Sequence, residues 1–89
     1  MIMYFVYIIK SLKDGRHYVG LTNNIDRRLI EHNKGKNQST KNKRPWKLIH
    51  VEIIKNRKEA RLLEKYFKSG YGRELIKEIE GALQFNIPL

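Results

Sequence analysis

Tyr4-Phe5-Val6-Tyr7-Ile8-Ile9, then Ser11-Leu12-Lys13-Asp14-Gly15-Arg16, then His17-Tyr18-Val19-Gly20-Leu21, is the stretch that decides the fold. Its first part is a continuous run of aromatic and β-branched side chains, short enough for one buried strand. Its last part reads as a partner strand. Asp14-Gly15 between them suits the positive backbone angles of a tight hairpin turn, so the strands are expected as antiparallel neighbours. If Asp14-Gly15 forms a two-residue turn, Tyr7 lies opposite Thr22. Tyr18, an even number of residues from Thr22, then shares the face of Tyr7. Any even-numbered loop keeps the two phenols together, whereas an odd loop or a bulge separates them.

Outward from the hairpin, Asn23-Asn24 offers a helix cap. Ile25, Leu29 and His32 or Asn33 then recur at helical spacing until Gly35 ends the segment. This first helix is short and basic on its outer side. Asn33 to Arg44 carries Lys34, Lys36, Lys41, Lys43 and Arg44 among polar residues without a hydrophobic period, and reads as a mobile basic loop. Pro45 fits the start of a third strand, Lys47 to Ile54, where a missing amide is tolerated. Asn56 with Glu59 has the spacing of an N-cap and its partner, and Ala60, Leu63 and Phe67 mark a second helix running to Gly70. Leu75, Ile76 and Ile79 place a third helix over Arg73 to Ile79. The order β-β-α-β-α-α implies an α+β domain, a small mixed sheet flanked by helices over residues 1–80, with 81–89 as a loosely held tail.

Composition narrows the class. The chain has 89 residues, enough for one core, and no cysteine, so neither disulfides nor a thiolate zinc site can supply its stability. Lys10 interrupts the apolar start and no small-residue cleavage site follows, so a cytoplasmic protein with no membrane partner is expected. Nineteen Lys and Arg against nine Asp and Glu give a formal charge of +10, which favours a polyanionic partner, nucleic acid first.

Several residues point to phosphate chemistry. Arg28 and His32 stand one helical turn apart on one face, a guanidinium for negative charge beside an imidazole for proton transfer. Arg27 points roughly 100° away on the same helix. Glu64 borders the apolar stripe of the second helix, where a carboxylate can reach a cleft and hold Mg²⁺ whose remaining ligands are water and phosphate. Each residue also has a structural use: strand tyrosines in a core, an Arg/His pair on a solvated face, Glu64 paired with Lys68.

Taken in order, these elements resemble the GIY-YIG nuclease family. Phe5-Val6-Tyr7 and Tyr18-Val19-Gly20 are similar to the two tripeptides that name it, and the likeness continues through Arg27-Arg28-Leu29, Glu31-His32-Asn33, Arg44-Pro45-Trp46 and Glu59-Ala60 to Glu64-Lys65 and Lys68. The resemblance implies a three-stranded antiparallel sheet among helices and a divalent-metal-dependent phosphodiesterase of the kind found in the UvrC excision-repair nuclease and in homing endonucleases. It places the motif tyrosines on Tyr7 and Tyr18, the arginine on Arg28, the histidine on His32, and the carboxylate that holds one Mg²⁺ or Mn²⁺ on Glu64. Phe5 and Val6 replace Gly and Ile of the first tripeptide, and Leu21 stands where some relatives have Lys.

The function expected from this is endonucleolytic hydrolysis of DNA, in repair or recombination, with water as nucleophile and Tyr7 or His32 as base. Tyr18 orients the water or phosphate, and Arg27 with Lys34, Lys36, Lys41, Lys43 and Arg44 holds the nucleic-acid backbone. Two other readings share these features: a nucleic-acid-binding module without catalysis, and RNA as the polymer that is cut. Oligomeric state is left open.

Overall fold

The computed structural model describes residues 2–84. Three strands, β1 (Tyr4–Ser11), β2 (His17–Thr22) and β3 (Trp46–Ile54), form one sheet in the order β2-β1-β3, antiparallel throughout. Three α-helices accompany it, α1 (Ile25–Asn33), α2 (Arg57–Lys68) and α3 (Gly70–Gln84), with a 3-10 turn at Lys41–Lys43. The expected α+β class and element order are those observed. Among the described residues no helix is long and apolar enough to cross a membrane.

The central position of β1 explains its unbroken apolar run. Val6 and Ile8 point to one face, where with Val19 they pack against Ala60, Phe67 and Ile76 of α2 and α3. Tyr7 and Ile9 point to the other and meet Trp46, Ile25 and Leu29 on the α1 side. Each aliphatic side chain so buried contributes roughly 1.5–3 kcal/mol. A bulge opposite Ile8 and Ile9 shifts the register of β3, so that Leu48 and Val51 both face α1 while Ile49 joins the other core. This is why the apolar residues of β3 do not alternate strictly.

The hairpin register differs from the expected one. Tyr7 pairs with Gly20, not with Thr22. The cause is Ser11, whose backbone N–H donates to Arg16 O at 2.8 Å and whose Oγ accepts from the N–H groups of Lys13 and Asp14 at 3.1 and 3.2 Å. Ser11 thus stabilises a loop running from Leu12 to Gly15, with Gly15 in the left-handed region at φ 77°. The loop remains even-numbered, so the two tyrosines keep a common face.

Asn24 and Asn56 cap α1 and α2 through side-chain oxygens that accept backbone N–H groups. The third helix starts earlier and ends later than the Arg73–Ile79 expected. Gly72 lies inside α3 because the two helices touch there: a Cβ on it would fall 2.0 Å from Tyr66 O. Residues 81–84, expected in the tail, continue α3, and 85–89 lie outside the described residues.

Candidate active site

The site grows from the face of β1 that meets α1. Tyr7 crosses its neighbour strand at Gly20, and the absence of a side chain there is what makes room: a Cβ on Gly20 would lie 2.3 Å from the Tyr7 hydroxyl. The phenol thereby reaches His32 of α1, with Oη 2.8 Å from Nε2. The other ring nitrogen, Nδ1, lies 2.8 Å from Thr40 Oγ1. His32 and Thr40 are both fully buried and Tyr7 nearly so, at 1% exposure. Burial is the main reason that the imidazole is pushed down to about 4, with the charge of Arg28 adding to it, so the ring is neutral at physiological pH. With hydrogen on Nδ1, it donates to Thr40 and accepts the Tyr7 proton on Nε2. Burial likewise pushes the Tyr7 hydroxyl up to about 12, against the opposing pull of Arg28. Tyr7 therefore keeps its proton in the resting protein.

Tyr18 and Arg28 complete the cluster. The Tyr18 ring lies 6.5 Å from that of Tyr7 and 5.1 Å from that of His32, centroid to centroid, and also faces Trp46. Arg28 lies close enough to the Tyr7 hydroxyl to favour its ionised form, and its Nη1 is held by Glu31 Oε1 at 3.2 Å. One helix thus delivers a guanidinium and an imidazole to one phenol, as the spacing of Arg28 and His32 predicts. Arg27, a residue earlier, is exposed and turns to Asn23 Oδ1 at 3.2 Å.

Glu64 stands on α2, across the sheet from His32, in a cleft of about 340 Å³ that it shares with Thr22, Asn23, Arg57 and Arg61. Its charge is felt at Tyr7, where it opposes ionisation. The expected ion pair with Lys68 forms, at 3.2 Å, on a Glu64 side chain that is only 17% exposed. Among the described residues no group of three or more His, Cys, Asp or Glu could hold a metal. A single carboxylate carrying a displaceable ammonium fits a hard cation that keeps most of its water, and does not fit zinc.

The segment 33–44 is not the loose loop expected. α1 ends in a left-handed turn at Gly35, φ 78°, where the N–H groups of Gly35 and Lys36 donate to His32 O and Glu31 O at 3.2 and 3.0 Å. Asn33 then mimics a strand partner for Trp46: its Nδ2 donates to Trp46 O at 3.1 Å and its Oδ1 accepts from Trp46 N at 2.7 Å. Trp46 Nε1 donates to Thr40 O at 2.9 Å. Thr40, seated in this clasp, is what orients His32. Lys34, Lys36, Lys41, Lys43 and Arg44 project from the same segment, and Arg44 donates from Nε to Lys41 O at 2.7 Å.

Sequence reasoning missed Asn33, Thr40 and Trp46 as supports of the histidine. A signal was present in Trp46, the one tryptophan of the chain, because a buried indole N–H requires an acceptor. Gly20 had a signal too, since an isolated glycine within a strand marks a close approach.

Comparison with known proteins identifies the family and the fold. The model of the GIY-YIG catalytic domain matches residues 3–77. A UPF0213 protein of Clostridium perfringens is 40% identical over 67 residues, 74% of this chain and 71% of the relative. One from Staphylococcus haemolyticus is 36% identical over 81 residues, 90% of this chain and 98% of the relative. The solution NMR structure of a UPF0213 protein from Bacillus halodurans superposes with a TM-score of 0.55 at 30% identity, covering 90% of this chain and 87% of that one.

Proposed function

The chain belongs to the GIY-YIG catalytic domain family, and from that premise we propose that it is a metal-dependent endonuclease hydrolysing DNA phosphodiester bonds. The observation that carries the proposal is the Tyr7–His32–Thr40 chain of contacts, 2.8 Å at each link, beside Arg28.

Both nitrogens of His32 are occupied, one by Tyr7 and one by Thr40. A proton from water can therefore reach the imidazole only through Tyr7. With its own hydroxyl pushed up to about 12, Tyr7 does not act as a standing phenolate. It accepts the water proton as its own proton passes to His32 Nε2, and so remains neutral throughout. The water oxygen bonds to phosphorus, the bond from phosphorus to the leaving oxygen breaks, and solvent supplies the proton that the leaving oxygen takes up. Arg28, fixed by Glu31, faces the charge that develops on the phosphate. Tyr18 donates a hydrogen bond that orients the water or the phosphate.

Glu64 would hold the divalent cation, Mg²⁺ or Mn²⁺. When bound, that ion supplies Lewis-acid stabilisation of the phosphate and leaving oxygens. Arg27 and the cations of residues 34–44 hold the backbone of the polymer, a role that gives no sequence information by itself.

The test is cleavage of labelled single-stranded, duplex and branched DNA, and of RNA, with Mg²⁺ or Mn²⁺ and a chelator control. Metal-dependent product that disappears in Glu64→Ala, and a kcat lowered about 10²-fold or more in Arg28→Ala, are expected. Retarded but uncut DNA on every substrate would establish a binding module instead. Cleavage confined to RNA would change the substrate and leave the residue roles standing.

A further inference from the structure

Arg57 and Arg61 have no place in the chemistry above, yet they line the same cleft as Glu64. On α2 the three positions share one face: Arg57 and Glu64 lie within about 20° of each other around the axis, and Arg61 about 40° to the side. Glu64 is the one carboxylate lining the cleft and is already matched by Lys68. Among the described residues neither Arg57 nor Arg61 forms an ion pair, although both line a cleft with a carboxylate in it. Two guanidinium groups four residues apart repel each other unless an anion sits between them. Asn23, from the turn before α1, also lines the cleft; its Oδ1 accepts from Arg27, and among the described residues its amide hydrogens are left for another acceptor. The cleft thus presents an excess of donors and positive charge beside the carboxylate, and a cation on Glu64 would increase that excess.

We infer that Arg57 and Arg61, with Asn23, clamp a phosphodiester that neighbours the scissile one on the same strand. The inference rests on the nuclease reading and extends it to the substrate: the strand must continue past the cut by at least one charged phosphate, so an internal bond in a longer strand is preferred to a terminal one. Guanidinium groups suit this task because their fork of N–H donors matches phosphate oxygens in pairs. The two arginines are positioning residues, so their loss acts on substrate capture and leaves the chemical step to Arg28.

The experiment crosses the double variant Arg57→Ala/Arg61→Ala with a substrate in which single phosphates flanking the cut are replaced, one at a time, by neutral methylphosphonate. On the normal strand the variant is expected to lose about tenfold to a hundredfold in kcat/KM, through KM, with kcat nearly unchanged. Wild type is expected to lose a similar factor at one flanking position, and the variant to lose nothing further there. Thermal melting like wild type checks the fold, since both side chains are exposed. If the variant cuts the normal strand like wild type, or if the two losses multiply at every position, the clamp is wrong and the nuclease reading stands. If wild type cuts no substrate, the nuclease reading itself has failed, and the clamp with it.

Discussion

Replacing Gly20 with alanine places a methyl group where the Tyr7 phenol now lies. The added Cβ would stand 2.3 Å from Oη and 2.4 Å from Cζ of Tyr7, so the ring must move about 1 Å or more to restore ordinary contact. The 2.8 Å link from Oη to His32 Nε2 cannot survive that shift. Forcing a side chain out of a packed core costs about 1–3 kcal/mol, and a lost buried hydrogen bond adds about 1 kcal/mol. The sum, about 2–4 kcal/mol, lowers the melting temperature of a domain this size by about 10–20 °C. Gly81→Ala supplies a control of opposite sign, because nothing lies within 4 Å of its added Cβ and the position is helical. It should stabilise by up to about 1 kcal/mol. Thermal unfolding followed by circular dichroism reads the stability, and nucleic-acid cleavage assayed well below both melting points reads the site. A Gly20→Ala protein that melts within about 3 °C of wild type and cleaves equally fast would show that the close approach of Tyr7 to β2 is not needed.

The other expectations follow from the burial of the same cluster. His32 titrates near 6.5 in the unfolded chain and at about 4 in the fold, so the unfolded state binds the proton more readily between these values. Stability is therefore complete above pH 6.5 and falls as pH drops toward 4, by about 3 kcal/mol from this group. Urea unfolding of wild type and His32→Gln at several pH values measures it, and an identical acid slope in both would exclude His32 as the source. Thr40→Val removes the partner of His32 Nδ1 within a sealed environment and should cost about 1–3 kcal/mol and slow cleavage, whereas Thr40→Ser should restore both. An unchanged kcat in Thr40→Val would remove Thr40 from the positioning of the ring.

The fold was legible where local chemistry and tertiary packing agree. The apolar run of β1, the asparagine caps and the helical spacing of Ala60, Leu63 and Phe67 all lead to the observed elements. Parity alone placed Tyr7 and Tyr18 on one face. It could not fix the register, because Ser11 uses its hydroxyl and both backbone groups to enlarge the turn beyond Asp14-Gly15. Residues 33–44 were illegible for a related reason: their order comes from side-chain to backbone bonds across the segment, Asn33 to Trp46 and Trp46 to Thr40, which leave no periodic trace. Of the site, the pairing of Arg28 with His32 could be read from helical geometry. The seat of His32 in Thr40 and the arginines beside Glu64 could not, since each depends on an element distant in sequence.

The sheet order β2-β1-β3 gives the two tyrosines unequal security. Tyr7 belongs to the strand that is bonded on both sides, so its amide exchanges with solvent only through openings that disrupt the whole sheet. Tyr18 belongs to a strand bonded on one side and can be displaced by local fraying at a lower free energy. Warming is therefore expected to loosen Tyr18 from Tyr7 before the domain unfolds, seen as earlier amide exchange in β2 than in β1.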